Sequence, residues 1–505
     1  MSTELLERLR DRLPLTETDA SWIQFADPTE LNHLLREIAD TMPDIEGLEQ
    51  FAVLLARRLR SGDRSWDGVV PLTELYDKTS PLSLVRGALL QFLVEDASAP
   101  ALAAVADRLT HDPPQVTAAV AQALSPLYRD SQSAAHALAL LEFCRDAMEH
   151  ISVAAPLLDL SNYLCRERGV GHPAAGSEER LRTLLRAIVN KLEQLAEQNE
   201  PFAASDEESM RQLESQREMV ELGVPLAVSL CDTLALLEDH DAVGVLTRAL
   251  DLPHRRIRTE AGWALAKLGE DAGLVALREQ AADPYTRLRA LEYLQELERL
   301  DQLDPQLCSE LARAEASVCS WLGEATQFGI PPHEIELVEQ RELAWPGFEE
   351  EQTCYLFRFA YRFPHGTLEN IALAGPAVHA FATDLTDMDA DDVFAMYAGW
   401  QAEHDEMEEF IPQQLTPSGQ VELERLVRRI RDCGYEEIEP LLFCIFFGDK
   451  SLVASAVPRA DAERTRGLVV ADDQDAHWFP ARSRFGAVEA AYVYKGRRLL
   501  RAFNS

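Results

Sequence analysis

The chain has 505 residues, of which 47% are hydrophobic and 27% are charged, and its formal net charge is −38. This length corresponds to two or three ordinary domains, and the hydrophobic fraction supports a large core. The excess of carboxylates repels nucleic acids and anionic membrane surfaces, so both kinds of partner are disfavoured. A basic protein partner is compatible with the charge.

The cysteines and the lack of long apolar runs predict the cellular compartment in which the protein lies. The eight cysteines form no CxxC pair and lie in apolar or helical contexts, as buried free thiols of a reducing compartment do. Residues 1–13 predict a charged amphipathic helix, not a signal peptide. No apolar run approaches the roughly 18 to 20 residues that a membrane-spanning helix needs. We therefore expect a cytoplasmic protein that does not bind membranes.

A helical repeat is first recognisable in residues 75–130. Val85 and Val116 occupy matching positions in two predicted helices, 31 residues apart. The helix after Pro114 places apolar or small residues on one face, as helical periodicity requires. Those residues are Val116, Ala119, Val120, Ala123, Leu124 and Leu127. Two polar segments further along, 169–179 and 197–208, predict loops between helices.

The same period is clearest in residues 238–300. Pro253 and Gly269 bracket a helix with the start and stop signals expected of its two ends. Ile257 and Leu288 anchor successive units and are again 31 residues apart. The apolar face of the bracketed helix consists of Ile257, Ala261, Ala264, Leu265 and Leu268. A fixed period of this size with two helices per unit is typical of an α-solenoid.

These residues resemble the HEAT-repeat family, in particular the short bacterial HEAT-like form known from phycobilin lyases. The matching positions are Asp251, Pro253, Ile257, Arg258, Ala261, Ala264, Leu265, Leu268 and Gly269. The resemblance implies a ladder of aspartates and arginines between stacked repeats, formed by Asp251 with Arg258 and by Asp283 with Arg289. Thr117 and Glu292 depart from the family pattern, so this ladder is expected to be interrupted.

Two roles compete for the arginines near position 258. An arginine that recurs at the repeat period beside an apolar anchor is explained by stacking alone, so Arg258 is predicted to be a structural rung. Arg255 and Arg256 lie at the start of the same helix. They are the better candidates for contact with a partner or with solvent.

The pattern changes after Pro331 and Pro332, and we predict a helical repeat region over 1–328 and a smaller α+β domain over 329–505. Residues 354–363 alternate with an aromatic face, which indicates a strand. The domain is expected to hold an antiparallel sheet and two helices. Further strands are predicted at 438–447, 451–457, 468–471, 488–494 and 499–503, and helices at 389–410 and 418–432.

Acidic and histidine residues of the C-terminal domain suggest a possible metal-assisted hydrolase. His404 and Glu408 are four residues apart and share a helix face, and a third ligand could come from His379 or Asp384. The simpler interpretation is an acidic helix with Asp389 at its start and an exposed ion pair at its end. Neither EF-hand nor HExxH spacing is present.

The segment after Pro458 reverses the charge of the rest of the chain, with nine basic against six acidic residues. We interpret it as a basic edge that docks on the acidic solenoid, and a polyanion site is the alternative. P-loop, dinucleotide-binding and GxSxG motifs are absent from the sequence.

The absence of a convergent catalytic motif favours a non-catalytic protein-interaction scaffold or adaptor, with the C-terminal domain as a recognition or regulatory module. This hypothesis requires no metal and no cofactor, and its partner is a protein, not nucleic acid. The alternative is the metal-assisted hydrolase. A weaker alternative is that the protein acts like HEAT-like bilin lyases or DNA glycosylases. The charge argues against DNA, and no residue pattern indicates a tetrapyrrole pocket.

Overall fold

A computed structural model shows a helical domain followed by an α+β domain, which confirms the predicted fold class. Its contacts divide the chain into two compact units, residues 1–280 and 281–505. The change from helix to strand falls later, near the boundary expected at 328. The structure describes residues 2–11, 13–41, 51, 54–55, 58, 68–129, 133–144, 148, 150–197, 207–402, 407–446, 449–461, 464–480 and 485–504.

Helices alone make up the regular structure of the first unit among the described residues. They are α1 (Ser2–Arg10), α2 (Glu17–Phe25), α3 (Pro28–Thr41), α4 (Val69–Lys78), α5 (Val85–Asp96), α6 (Ala99–His111), α7 (Thr117–Leu124), α8 (Ser133–Phe143), α9 (Ile151–Arg168), α10 (Glu178–Glu197), α11 (Glu207–Leu236), α12 (Val243–Leu250), α13 (Arg255–Lys267) and α14 (Asp271–Ala282), with one-turn 3-10 helices at Ser125–Tyr128 and His240–Ala242.

Local sequence signals explain where several of these helices begin. Thr16 and Asp19 form a reciprocal capping box at the start of α2. Ser98 accepts the N–H of Ala101 at the start of α6, and Pro100 occupies its first turn. Such caps satisfy backbone donors that have no partner within the helix.

Alternate helices of the first unit stack in two layers. In one layer, α5, α7, α9, α11 and α13 each contact the next in the series. In the other, α3, α4, α6 and α8 do so, and α10 contacts α12. Stacking of every second helix is the arrangement of an α-solenoid. A continuous apolar core of leucines, valines and alanines runs between the layers from α1 to α9.

The second unit contains helices and two antiparallel sheets. The first sheet has the order β1-β2-β3-β4, and the second has the order β5-β6-β7-β8-β9. The elements are α15 (Pro284–Glu296), α16 (Glu310–Leu322), β1 (Glu334–Ala344), β2 (Glu351–Phe363), β3 (Gly366–Ala374), β4 (His379–Ala380), α17 (Ala390–Gln401), β5 (Met407–Phe410), α18 (Pro417–Asp432), β6 (Tyr435–Phe446), β7 (Asp449–Pro458), β8 (Gly467–Ala471), β9 (Ala476–Phe479) and α19 (Ala487–Phe503), with 3-10 turns at Leu300–Gln302, Pro305–Cys308 and Pro412–Gln414.

Each sheet of this unit is covered on both faces. Helices α17 and α19 share one apolar core with residues from both sheets, such as Leu356 and Val453. The outer face of the first sheet packs on α16, where Val318 meets the aromatic face of β2. The outer face of the second sheet packs on α18 through residues such as Leu426. Strands buried on both faces form because apolar residues occupy both sides of β2 and β7.

The two halves of this unit repeat one arrangement of elements. Residues 310–401, the first sheet repeat, run α16, β1 to β4 and α17, and residues 417–503, the second sheet repeat, run α18, β6 to β9 and α19. Leu356 and Val453 occupy the same register position, 97 residues apart, and the same β-bulge lies opposite each of them. The second sheet differs by the added edge strand β5.

Several details of the sequence interpretation are wrong, and two of them concern strand β5 and the cysteines. Residues 407–410, expected at the end of a helix, form strand β5. The cysteines are not all buried, because Cys433 is exposed and Cys165 and Cys308 are half-buried, although all eight are free thiols. In the described part of the chain, no helix has both the length and the apolarity needed to cross a membrane.

Candidate functional site

Helix α19 carries the best-formed polar site in the described structure. Gly486 begins the helix, and its N–H donates to the Glu489 carboxylate at 2.8 Å. Residues 488–494 and 499–503 both lie inside it, so the two strands predicted there are wrong. Apolar residues in 488–494 do not show a clear helical period, because this helix meets apolar neighbours on more than one side.

A cavity of about 510 Å³ opens beside the C-terminal half of α19. Its second wall is the turn between β8 and β9. This volume is in the range of small-molecule sites. A neighbouring cavity of about 720 Å³ shares His477, Arg497 and Arg501 with it. The ionisable lining of the first cavity consists of Asp449, Asp472, Asp475, His477, Tyr494, Arg497, Arg498 and Arg501.

Asp472 organises this cavity from the end of β8. Its Oδ1 accepts the backbone N–H groups of Gln474 at 2.8 Å and Asp475 at 2.7 Å, and its Oδ2 accepts the Tyr494 hydroxyl at 2.5 Å and the Arg498 guanidinium. Burial alone would raise the pKa of Asp472, but these hydrogen bonds lower it to about 2. The carboxylate is therefore ionised and fixed in place.

The arginines of α19 pair with carboxylates of the same unit. Arg497 donates to Asp392 in the first turn of α17 and lies over the Phe479 ring, with 5.7 Å between its guanidinium carbon and the ring centre. Arg498 bridges Asp449 and Asp472. The C-terminal basic segment thus has described partners within its own unit, and its docking on the helical repeats stays a prediction.

The equivalent place in the first sheet repeat is closed by aromatic rings. His379 pairs with Leu373 in the way that His477 pairs with Val470, the residue equivalent to Leu373. The His379 ring stacks on Trp400 with 4.1 Å between centroids and 4° between planes. Burial lowers the pKa of His379, as it does for His477. In the second repeat Arg497 replaces that tryptophan, and His477 lies on the cavity wall.

The residues considered for a metal-assisted hydrolase have separate local roles. His379 is in the aromatic stack of the first sheet, and Glu408 lies exposed on edge strand β5 of the second. Asp384 accepts the N–H and hydroxyl of Thr386, at 3.0 and 2.6 Å. His404 lies outside the described residues. Within the described ranges, no group of three or more histidine, cysteine or acidic side chains could hold a metal ion.

The residues of the ladder that the HEAT resemblance implies make several other contacts in the structure. Arg258 reaches Glu279 of the next helix at 3.5 Å, which joins α13 to α14. Arg289 pairs with Glu292 at 3.2 Å on its own helix and lies over the Tyr293 ring. Asp283 caps α15 by accepting the N–H of Tyr285. Asp251 is exposed.

Two other arginines hold successive helices together and were missed as rungs. Arg287 is buried and donates to the carbonyls of Ala281 and Ala312, both at 2.9 Å, and to Glu315 at 2.5 Å. Arg86 is buried and donates to the Thr79 carbonyl at 2.9 Å and to Asp112. The sequence signal for Arg86 was its place beside the repeat anchor Val85. Arg287 precedes its anchor Leu288, whereas Arg86 follows Val85, so the repeat period does not place the two arginines at equivalent positions.

The candidate partner contacts Arg255 and Arg256 are exposed at the start of α13. Their position agrees with contact to solvent or to another molecule.

A scan against protein-family models finds no match for this chain, and a search of curated proteins finds no significant relative.

Proposed function

We propose that the protein is a non-catalytic interaction scaffold, in which the helical unit binds a protein partner and the sheet unit is a recognition module. The observation that carries the proposal is one end of the stacked helices, where the turns between the two layers are joined to one another. We call residues 79–84, 112–116 and 150–152 the turn edge.

Hydrogen bonds between successive turns make the turn edge continuous. The N–H of Gln115 donates to the Pro81 carbonyl at 2.9 Å, which links the first turn to the second. The Ser152 hydroxyl donates to the Pro114 carbonyl at 3.0 Å, which links the second turn to the third. A row of turns held in this way keeps its shape when a partner binds, so little ordering entropy opposes binding.

Large apolar side chains along the turn edge face solvent. Leu82 is 67% exposed, and Phe143, which ends the helix before the third turn, is 60% exposed. Leu84 and Ile151 are also exposed. Single exposed apolar residues need no explanation, but four large ones at the first and third turns of one linked edge are typical of a protein-binding surface.

Charge indicates the kind of partner. Residues 1–280 contain 46 acidic and 27 basic residues. A partner segment with apolar side chains for the turn edge and basic side chains for its surroundings is complementary to this unit. The same acidic field disfavours nucleic acid as the partner. Arg255 and Arg256 remain proposed partner contacts at the corresponding end of α13.

Site-specific photo-crosslinking in the native cell tests the proposal. A photoreactive amino acid at position 82 or 143 of the full chain is expected to give an adduct with the same protein. The matched control is position 186, an exposed arginine on the side of α10. The paired substitution Leu82→Asp and Phe143→Asp should abolish co-purification of that protein. Adducts that are absent, or equally abundant at position 186, would contradict the proposal.

A further inference from the structure

The two sheet repeats differ most informatively at the cavity beside α19. At three equivalent positions, the first repeat has a small, an aromatic and an amide residue, and the second has one carboxylate and two cations. These pairs are Gly375 and Asp472, Trp400 and Arg497, and Gln401 and Arg498. Since both repeats fold in the same way, the charged residues are not required by the fold.

The change of charge extends over the whole repeat. The first sheet repeat contains 16 acidic and 4 basic residues, whereas the second contains 13 acidic and 14 basic residues. The fold is therefore compatible with a strongly acidic composition, and the ten additional basic residues belong to the half that has the cavity. Three of these cations, Arg497, Arg498 and Arg501, line the cavity, and cations in a concave site attract anions.

Removal of the aromatic lid exposes a hydrogen-bonding wall. In the first repeat the Trp400 ring covers His379, but Arg497 turns towards Asp392 and Phe479. His477 is consequently part of the walls of both cavities. Its ring nitrogens offer a donor and an acceptor to a bound molecule.

Two arginines at the mouth can contact an anion. Arg501 is exposed and lines both cavities. The Arg498 guanidinium pairs with two aspartates. Asp472 is buried, whereas the side chain of Asp449 is 68% exposed. Exchange of the exposed carboxylate for a ligand oxyanion costs little, because solvent-exposed ion pairs are weak. Asp472 continues to hold the other side of Arg498 during the exchange.

We infer that the cavity beside α19 binds a small organic oxyanion, with Arg501 and Arg498 as its cationic contacts and His477 as the adjoining wall. The oxyanion is a carboxylate or a phosphate, because a guanidinium binds both through parallel N–H donors. The remaining apolar lining, which includes Leu499 and Phe503, accommodates the organic part. This inference is independent of the proposed scaffold role, since it concerns a different unit.

Isothermal titration calorimetry on the full chain tests the inference, with inorganic phosphate, adenosine monophosphate and citrate as probes. At least one probe is expected to bind with one site per chain. Arg501→Ala should weaken that binding at least about tenfold, as loss of one charged hydrogen bond does. The matched control is Arg428→Ala, since Arg428 is exposed on α18, away from the cavity lining. This control should bind like the parent chain.

The three probes also show whether the bound oxyanion is a carboxylate or a phosphate. Preference for citrate assigns a carboxylate ligand, and preference for either phosphate compound assigns a phosphate. Absence of heat with all three probes up to about 10 mM would overturn the inference, because a dissociation constant above that value is weaker than most specific ligands have. Equal weakening by Arg501→Ala and Arg428→Ala would also overturn it, because it would show general charge attraction without a site.

Discussion

Gly399 and Gly496 occupy equivalent positions in α17 and α19, and each approaches a backbone carbonyl of the opposite helix. A Cβ atom on Gly399 would collide with the carbonyl oxygen of Tyr492, and one on Gly496 with that of Ala395. Ala395 and Tyr492 are themselves 97 residues apart, as the two glycines are. The contact is therefore reciprocal, and it sets how closely the two sheet repeats pack.

Replacing Gly496 by alanine should destabilise the protein. The added methyl group meets fixed backbone, so the helices must separate, and such overpacking costs about 1–3 kcal/mol or more. Urea unfolding monitored by circular dichroism would measure the loss. Gly244→Ala is the control, because Gly244 lies in the first turn of helix α12 with no atom near its missing Cβ. That change should be neutral or stabilising, and equal stability of the two variants would disprove the reciprocal packing.

The low pKa of Asp472 predicts a dependence of stability on acid. The folded value of about 2 lies below the ordinary value of 3.8, so the carboxylate contributes stability above pH 4 that is lost as the pH falls towards 2. Asp472→Asn should reduce the free energy of unfolding at pH 7 by roughly 2 kcal/mol and remove this loss. Exposed Asp473→Asn is the control. The prediction fails if both variants follow the same pH curve.

His172 predicts a second pH dependence, in the helical unit. Its Nδ1 accepts the N–H of Ala174, so its Nε2 carries the proton and donates to Asn162 at 2.9 Å. Burial lowers the pKa of His172 from 6.5 to about 4. The unfolded chain therefore binds the proton more tightly between these values.

The contribution of His172 to the free energy of unfolding should therefore be constant above pH 6.5. It should fall by up to about 3 kcal/mol between pH 6.5 and 4. Thermal unfolding at several pH values measures this fall. His172→Gln should lower stability at pH 7 and flatten the profile, whereas exposed His240→Gln should leave the profile unchanged. A histidine variant at 172 that keeps the parent profile would refute the assignment.

Arg287 and Arg289 offer a direct comparison of structural roles two residues apart. Arg287 is 4% exposed and satisfies two backbone carbonyls and Glu315. Arg287→Met should cost about 3 kcal/mol, because it leaves buried acceptors without a donor. Arg289→Met removes an exposed pair and should stay within about 0.5 kcal/mol of the parent chain. Denaturant titration compares the two variants, and the reverse order of stability would contradict these roles.

Periodicity predicted those elements in which one face carries a regular row of apolar side chains. The helix around Ile257 was expected from one apolar face, and α13 buries that face. Strand β2 was expected from its aromatic alternation, and Tyr355, Phe357 and Phe359 pack together against α16. In both cases the large apolar side chains of one face repeat with the period of the backbone, although the opposite face of β2 is also buried.

The same reasoning failed where an element has neighbours on several sides. Helix α19 packs against both sheets and α17, so its buried apolar residues do not form one regular stripe and the helical period is hidden. The internal repeat was also missed, because equivalent residues share burial and register but not identity. Phe357 and Ala454 illustrate this, since they occupy the same position in the two sheets.

Backbone periods and helix caps are local properties of the chain, so the order of a helical unit and an α+β unit could be predicted from them. Long-range packing establishes which arginines are buried rungs and which aspartate holds α19. It also gives two halves of one unit the same fold and makes them differ at one cavity. These relationships join residues such as Asp472 and Arg498, far apart in the chain, and a side chain's role depends on the neighbours that packing gives it.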